Sequence, residues 1–278
     1  MNFKIRKITQ EDARICAQIH VQSWRETYRG IVPDEYLDSL DVDKRIDLWK
    51  KNINDNALSI YVAEVENMGV VGFFIASANR SPSFHDFGEI CAIYLLKKYH
   101  HQGIGMALFN RAFRVLKERG FKKVSLWTLK DNPTAVFYSK MGGRVDREKE
   151  IEIGGKRLTE YAYCWDEIIE PHIFHITARS QWDLALIQKF YEAPSLKKEG
   201  FIHFSCLHQV HRSGNLWCKD LIDPIVLEVD PLMLNSALKY ESVDDSEFFP
   251  HVYGAIPIET VINVKVLKKN SSGLFEML

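Results

Sequence analysis

The chain has 278 residues, 46% hydrophobic and 26% charged, a soluble globular composition whose length favours two domains over one. A net charge of -1 supplies no global field to attract nucleic acid or an anionic membrane, and no apolar run reaches the length of a membrane span. Five scattered cysteines, Cys16, Cys91, Cys164, Cys206 and Cys218, form no C-x-x-C pair, which argues against a disulfide framework and against a zinc ribbon.

"MNFKIRKITQEDA" alternates and then turns polar, unlike a secretory signal, so the cytoplasm is the expected compartment. Within it "FKIRKIT" reads as a strand. Thr9 and Asp12 form a loose capping box for a helix with Ile15, Ile19, Val21 and Trp24 on its apolar side. "VPDEYLDSL" and "DVDKRIDLWKKNI" predict two short helices, and "LSIYVAEV" and "MGVVGFFIAS" predict strands joined at "ENMG". "EICAIYLL" is a nearly all-apolar strand, the mark of burial on both faces. A helix runs from about Gly103 to the left-handed-tolerant Gly120. "KKVSLWTL" is a strand, and "NPTAVFYSKMGG" a short helix with Asn132 as N-cap and Pro133 at its first position. Two strands around Gly154-Gly155 form a hairpin.

"DEIIEPHI" links two halves, with Pro171 as the break, giving expected domains 1–168 and 169–278. From Ile169 onward there are 10 Lys and Arg against 14 Asp and Glu, a net of -4, leaving +3 for the first part. Six of the ten histidines also fall there. "HIFHIT", "GFIHFS", "PIVLEVD" and "ETVINVKVL" predict strands, "SQWDLALIQKF" a helix, and "FPHVYG" a loop.

Gly103 and Gly105 stand at the mouth of the central helix, although glycine is a poor helix former. A helix start leaves N–H groups without partners, and glycines let a pyrophosphate come close. The N–H groups of Gln102, Gly103, Ile104, Gly105 and Met106 would face it, with His100 and His101 leading in. The alternative is a tight strand-to-helix turn with no ligand. A P-loop needs G-K-[ST] here and a Rossmann fingerprint a third small residue where Leu108 stands. The acyl-CoA turn [QR]-x-x-G-x-[GA] fits, except that His100 replaces Gln or Arg.

With "EICAIYLLKKYHHQGIG" and "LKDNPTAVFYSKMGG", the first ~165 residues resemble the GNAT family of N-acetyltransferases. The resemblance implies a GNAT fold, α/β (α+β) with a mixed central sheet, and acetyl-CoA as co-substrate. It implies a central strand splayed from its neighbour, so that backbone groups near Ile93, Tyr94 and Leu95 pair with pantetheine amides. Glu89 becomes the general base that deprotonates the attacking amine, through a water. The N–H near Ile93 or Tyr94 stabilises the developing oxyanion, Tyr138 protonates the departing thiolate, and Asn132 contacts the CoA arm. Each has a structural alternative: a strand-end carboxylate, a core aromatic, an N-cap. The acceptor expected is a small-molecule or peptide amine, received near "HVQSWRETYRGIVPDEYL", where Trp24 and Tyr28 share a helix face. No nucleic acid, membrane or metal is expected, and homodimerisation is allowed. A non-catalytic acyl-CoA sensor is the rival reading.

Residues from about His172 to Val266, with "EGFIH" and "FPHVYG", resemble the domain of unknown function 952 family. That resemblance implies a small α+β domain with an ADP-ribosyltransferase-like fold and NAD as a ligand. On the residues alone, His175 with Thr177, His203 with Ser205, and His251 with Tyr253 are polar pairs that could converge on one cleft. Glu241 is a candidate acid. The alternative is buried histidines that satisfy backbone carbonyls, with the second half a binding module. The H-x-x-H spacing of His172 and His175 puts them on opposite faces of a strand, against a shared metal.

Overall fold

A computed structural model describes residues 3–81, 84–168, 172–242 and 248–276. It divides into two compact units, residues 1–100 with 104–170, and residues 171–278 with 101–103. Of the expected linker "DEIIEPHI", residues 169–171, with the break at Pro171, lie outside the described residues.

The first unit runs β1 (Phe3–Lys7), α1 (Ala13–Tyr28), α2 (Asp34–Asp38), α3 (Val42–Ile53), β2 (Ser59–Val65), β3 (Gly69–Ala78) and β4 (Phe87–Leu95). It continues with α4 (Ile104–Glu118), β5 (Lys123–Leu129), α5 (Ala135–Lys140), β6 (Arg144–Ile153) and β7 (Lys156–Trp165). The sheet order is β1-β2-β3-β4-β5-β7-β6. Among the described strands of this sheet only β4 and β5 pair in parallel, because α4 carries the chain back across the sheet between them. The sheet is mixed, and the fold α/β.

Local sequence explains each element that frames the site. The Thr9 N–H donates to Asp12 Oδ2 at 2.8 Å, the capping box of a 3-10 turn, Gln10–Asp12, that leads into α1. In α4, Ile104, Leu108, Ala112 and Leu116 recur every four residues, and all are buried against the sheet. On the opposite face, Trp49 of α3 packs on Phe73 of β3. In β4, Ala92 pairs with Ile75 and Ile90 with Ala76, so Cys91 is an extra residue, a β-bulge. The sequence predicts burial of this whole strand on both faces. Phe87–Ile90 are buried, but Cys91–Leu95 are half-buried.

The second unit comprises β8 (Ile173–Ala178), α6 (Arg179–Gln188), β9 (Phe190–Tyr191), α7 (Pro194–Glu199), β10 (Ile202–His203) and α8 (Leu207–Trp217). β11 (Pro224–Val229), β12 (Ala237–Ser242), β13 (Phe248–Tyr253), β14 (Ile256–Pro257) and β15 (Val261–Val266) follow. They form three antiparallel sheets, β15-β11-β8, β10-β13-β12 and β14-β9, around Ile173, Ile202, Leu227 and Val252. "FPHVYG" is therefore a strand and not a loop. Pro250 is tolerated because its carbonyl, and so its missing N–H, faces β10, which ends at His203.

Candidate active site

The pairing of β4 with β5 stops early. Phe87, Gly88 and Glu89 pair with Lys123, Val124 and Ser125, and nothing above them pairs, although β4 continues to Leu95 and β5 to Leu129. The strands part, and the edge from Cys91 to Leu95 stays half-buried. Leu96 donates its N–H to the Val71 carbonyl of β3 at 3.1 Å. Backbone polar groups alternate along a strand, so those of Tyr94 face β3 and those of Ile93 and Leu95 face the gap. Of the donors expected at Ile93 or Tyr94, only Ile93 is aimed there. Gly72 lets β3 come this close: a Cβ on it would stand 2.7 Å from the Tyr94 carbonyl oxygen.

The turn after β4 closes on the same edge. The His100 ring Nε2 is 3.0 Å from the Leu95 carbonyl, so the histidine at the atypical position of the acyl-CoA motif braces the mouth of the gap. His101 and Gly103 take left-handed φ of 58° and 81°, and α4 begins at Ile104 with Gly105 and Met106 in its first turn. Gln102 lies between the two left-handed residues, ahead of the helix.

Three phenols meet at the gap from both faces of the sheet. Tyr138 of α5 is buried beside Tyr163, and burial, with Tyr94 and Tyr163 nearby, raises its pKa. Burial raises the Tyr94 pKa as well, against the opposing hydrogen bond from Trp24. Tyr28, at the end of α1, is raised by burial, then by Tyr94 and Tyr138. All three stay protonated at neutral pH. Asn132 joins them, its Nδ2 donating to Thr128 Oγ1 at 2.8 Å and to the Tyr28 hydroxyl at 3.4 Å. Its Oδ1 accepts the Thr134 N–H at 2.9 Å, so it shapes the turn that precedes α5 rather than capping the helix, which starts at Ala135.

The face bearing α1 is aromatic. His20, Trp24 and Tyr28 follow one another every four residues on α1, and His20 stacks on Tyr94 at 5.0 Å. Trp24 and Tyr28 sit 5.1 Å apart, as their spacing predicts. Burial pushes the His20 pKa down to about 3, so this imidazole is neutral. The β6–β7 hairpin closes that side: Lys156 Nζ donates to the Ile31 carbonyl at 2.7 Å, and Gly154 packs on Tyr36.

Glu89 lies at the last position of β4 that pairs with β5, buried at 6% exposure, with Arg80 donating to both its oxygens at 3.2 and 3.3 Å. Nothing in the sequence pointed to Arg80. Among the described residues no cluster of His, Cys, Asp and Glu could hold a metal ion, and none of the five cysteines forms a disulfide.

In the second unit the polar pairs do not share one cleft. His175 Nδ1 is 2.6 Å from the His203 carbonyl, which can only accept, and Nε2 is 2.8 Å from the Tyr191 hydroxyl. That hydroxyl is 2.8 Å from Thr177 Oγ1. Burial pushes the His175 pKa down to about 4, and both ring nitrogens are spent inside the core. Ser205 bonds Ser213, its backbone pairing with Phe174. His203 and His251 gather separately, across β10, β13 and β12, with their rings 5.0 Å apart. Glu241 Oε2 is 2.8 Å from His251 Nδ1 and accepts the Tyr253 hydroxyl at 2.7 Å. Phe201 stacks on His251 at 4.2 Å, and His203 reaches Glu199 at 3.0 Å. Burial opposes ionisation of Glu241, but the bonds from Tyr253 and His251 outweigh it and hold the carboxyl below its usual range.

The acetyltransferase (GNAT) family matches residues 19–142, and the family described as protein of unknown function (DUF952) matches residues 176–264. An uncharacterised N-acetyltransferase of Bacillus subtilis, YuaI, is 34% identical over 164 residues, which are 59% of this chain and 93% of its own. The chain belongs to the acetyltransferase (GNAT) family. This acetyltransferase is also 26% identical to a spermidine N(1)-acetyltransferase of Thermoplasma acidophilum, over 52% of this chain and 91% of that one. A crystal structure of the PaiA N-acetyltransferase of Thermoplasma acidophilum in complex with coenzyme A aligns with a TM-score of 0.46 at 23% identity, covering 58% of this chain and 98% of that one. The acetyltransferase is thus an acyltransferase.

Proposed function

We propose that the first unit transfers the acetyl group of acetyl-CoA to a primary amine, carried by a small molecule or a peptide. The parting of β4 from β5 carries this reading. It leaves the backbone groups of Ile93 and the Leu95 N–H without a partner strand in β5, and an extended amide-bearing chain can pair with them beside the Leu95 carbonyl that His100 holds. The diphosphate then falls at the turn His100–Met106, where Gly103 takes a left-handed φ of 81° and α4 brings its N-terminus.

In the reaction the amine lone pair attacks the thioester carbonyl carbon. A C–N bond forms and the C–S bond breaks. The amine proton passes to Glu89 through water, and the thiolate takes a proton from Tyr138, whose phenol burial keeps protonated. The Ile93 N–H is aimed where negative charge develops on oxygen. The aromatic face of α1 excludes water from the neutral amine. The donor is a cytoplasmic metabolite, and we place the protein there.

Free-thiol release from acetyl-CoA across a panel of amines tests this, with Glu89→Gln and Tyr138→Phe alongside calorimetric titration of CoA. An enzyme loses turnover in both variants and still binds CoA. Unchanged turnover in both would refute these roles, and an absence of turnover with any amine would favour an acyl-CoA sensor.

For the second unit we propose a separate domain that binds a small molecule at Glu241, His251 and Tyr253. His175 has no ring nitrogen left for an NAD ribose. Calorimetry with NAD on wild type and His251→Ala tests whether a nucleotide is that ligand.

A further inference from the structure

Glu160 lies on β7 opposite Leu129, the last residue of β5. Leu129 is four residues beyond Ser125, where the β4–β5 pairing ends, and therefore roughly 13 Å up the strand, level with the gap. Glu160 shares a face of β7 with Leu158, which packs with Leu129 and Tyr28, so its carboxylate is on the aromatic, α1-bearing side. It is close enough to Tyr28 and Tyr94 to act on both electrostatically. The side chain is 21% exposed.

An alkylammonium already occupies this place. Lys149 reaches from β6 to set Nζ 3.1 Å from Glu160 Oε2, and the same Nζ stands 4.0 Å from the centre of the Trp127 ring. A carboxylate on one side and an aromatic face on the other form a cradle for an organic cation. The pair is partly exposed, and such pairs contribute little stability, so Lys149 can be displaced at small cost.

We propose that Glu160 and the face of Trp127 form an ammonium subsite, held by Lys149 in this structure, that receives a second positive charge of the acceptor while its other amine enters the gap. The inference rests on the acetyl-transfer reading and makes the preferred acceptors diamines or longer polycations.

Thiol release is measured with 1,4-diaminobutane and with 1-aminobutane, and the ratio of their kcat/KM values is read. Wild type favours the diamine. Glu160→Gln lowers the ratio on the order of tenfold, and Trp127→Leu by several-fold, while the KM for acetyl-CoA is unmoved. Glu160→Asp restores part of the loss. Lys149→Met acts in the opposite sense and raises the diamine's kcat/KM, which a merely structural ion pair does not do. A ratio unchanged in Glu160→Gln, a Lys149→Met variant that loses diamine selectivity, or a wild type that prefers the monoamine overturns the subsite and leaves acetyl transfer standing. No thiol release with any amine overturns both.

Discussion

Trp24 donates its indole N–H to the Tyr94 hydroxyl at 2.9 Å, which ties α1 to β4 at the level where β4 has lost its neighbour. The bond joins the aromatic face of α1 to the strand whose Ile93 backbone groups face the gap. Trp24→Phe keeps most of the ring but leaves a buried phenol without its donor. The expected cost is about 1–3 kcal/mol in the unfolding free energy of the first unit. A several-fold rise in acceptor KM should accompany it, with CoA affinity unchanged. Urea unfolding and steady-state kinetics read the two effects, and a loss of CoA affinity instead would place Trp24 on the donor side.

Tyr138 is held protonated by burial, and its neighbours Tyr94 and Tyr163 push in the same direction. A phenol with a raised pKa is a poor base but keeps its proton for a leaving thiolate. Tyr138→Phe should lower kcat about 100-fold while leaving the CoA dissociation constant within a few-fold. Because the proton is retained, wild-type turnover should show no alkaline fall from this group between pH 7 and 9. Equal losses of kcat and of CoA binding would mean that the ring only packs.

Gly72 has an ordinary φ and is required by closeness alone. An added Cβ would meet the Tyr94 carbonyl oxygen at 2.7 Å and Leu95 Cδ1 at 2.9 Å. Gly72→Ala must push β3 from β4 at the level of the gap, at a cost of about 1–3 kcal/mol. Since the same shift moves Tyr94 and Ile93, kcat should fall by more than the stability change explains. Gly69→Ala is the control, since nothing lies within 4 Å of its Cβ; its φ of 79° gives it backbone strain but no clash with β4.

Much of this was legible in the sequence because it is local. The apolar period of α4, the Thr9–Asp12 cap and the Gly154-Gly155 turn each act within a few residues, and each appears where the sequence puts it. The glycine-containing turn from β4 into α4 was legible as a motif, and Gly103 takes the left-handed φ there. Long-range pairing was not. An apolar run such as "EICAIYLL" looks alike whether its second edge is paired or empty, so the half-exposure of Cys91–Leu95 had no sequence signal. Arg80 became visible only when β3 and β4 brought it to Glu89, and Glu160 looked like any polar residue of an alternating hairpin strand. In the second unit, alternation put His175 with Thr177 correctly on one face, but not which face was buried. The proline in "FPHVYG" suggested a loop because the shortness of β10 could not be foreseen.

The buried state of His175 has a consequence for acid stability. Its folded pKa, about 4, lies below the ordinary 6.5 because burial disfavours the imidazolium. Between those values the unfolded chain takes up a proton that the folded core refuses. The contribution to stability is therefore complete above pH 6.5, declines as pH falls toward 4, and is lost below that. For a side chain only 8% exposed the interval corresponds to about 3 kcal/mol. His20, pushed down to about 3 by burial, adds a decline of the same sign in the first unit. Urea unfolding at pH 7.0 and 4.5 should show wild type losing stability in both units. His175→Gln should start from a lower value at pH 7.0, because Tyr191 and the His203 carbonyl lose their shared partner, yet fall less on acidification of the second unit. Equal acid slopes in wild type and variant would show that His175 is protonated in the folded state, and that the chain through Tyr191 and Thr177 carries a charge.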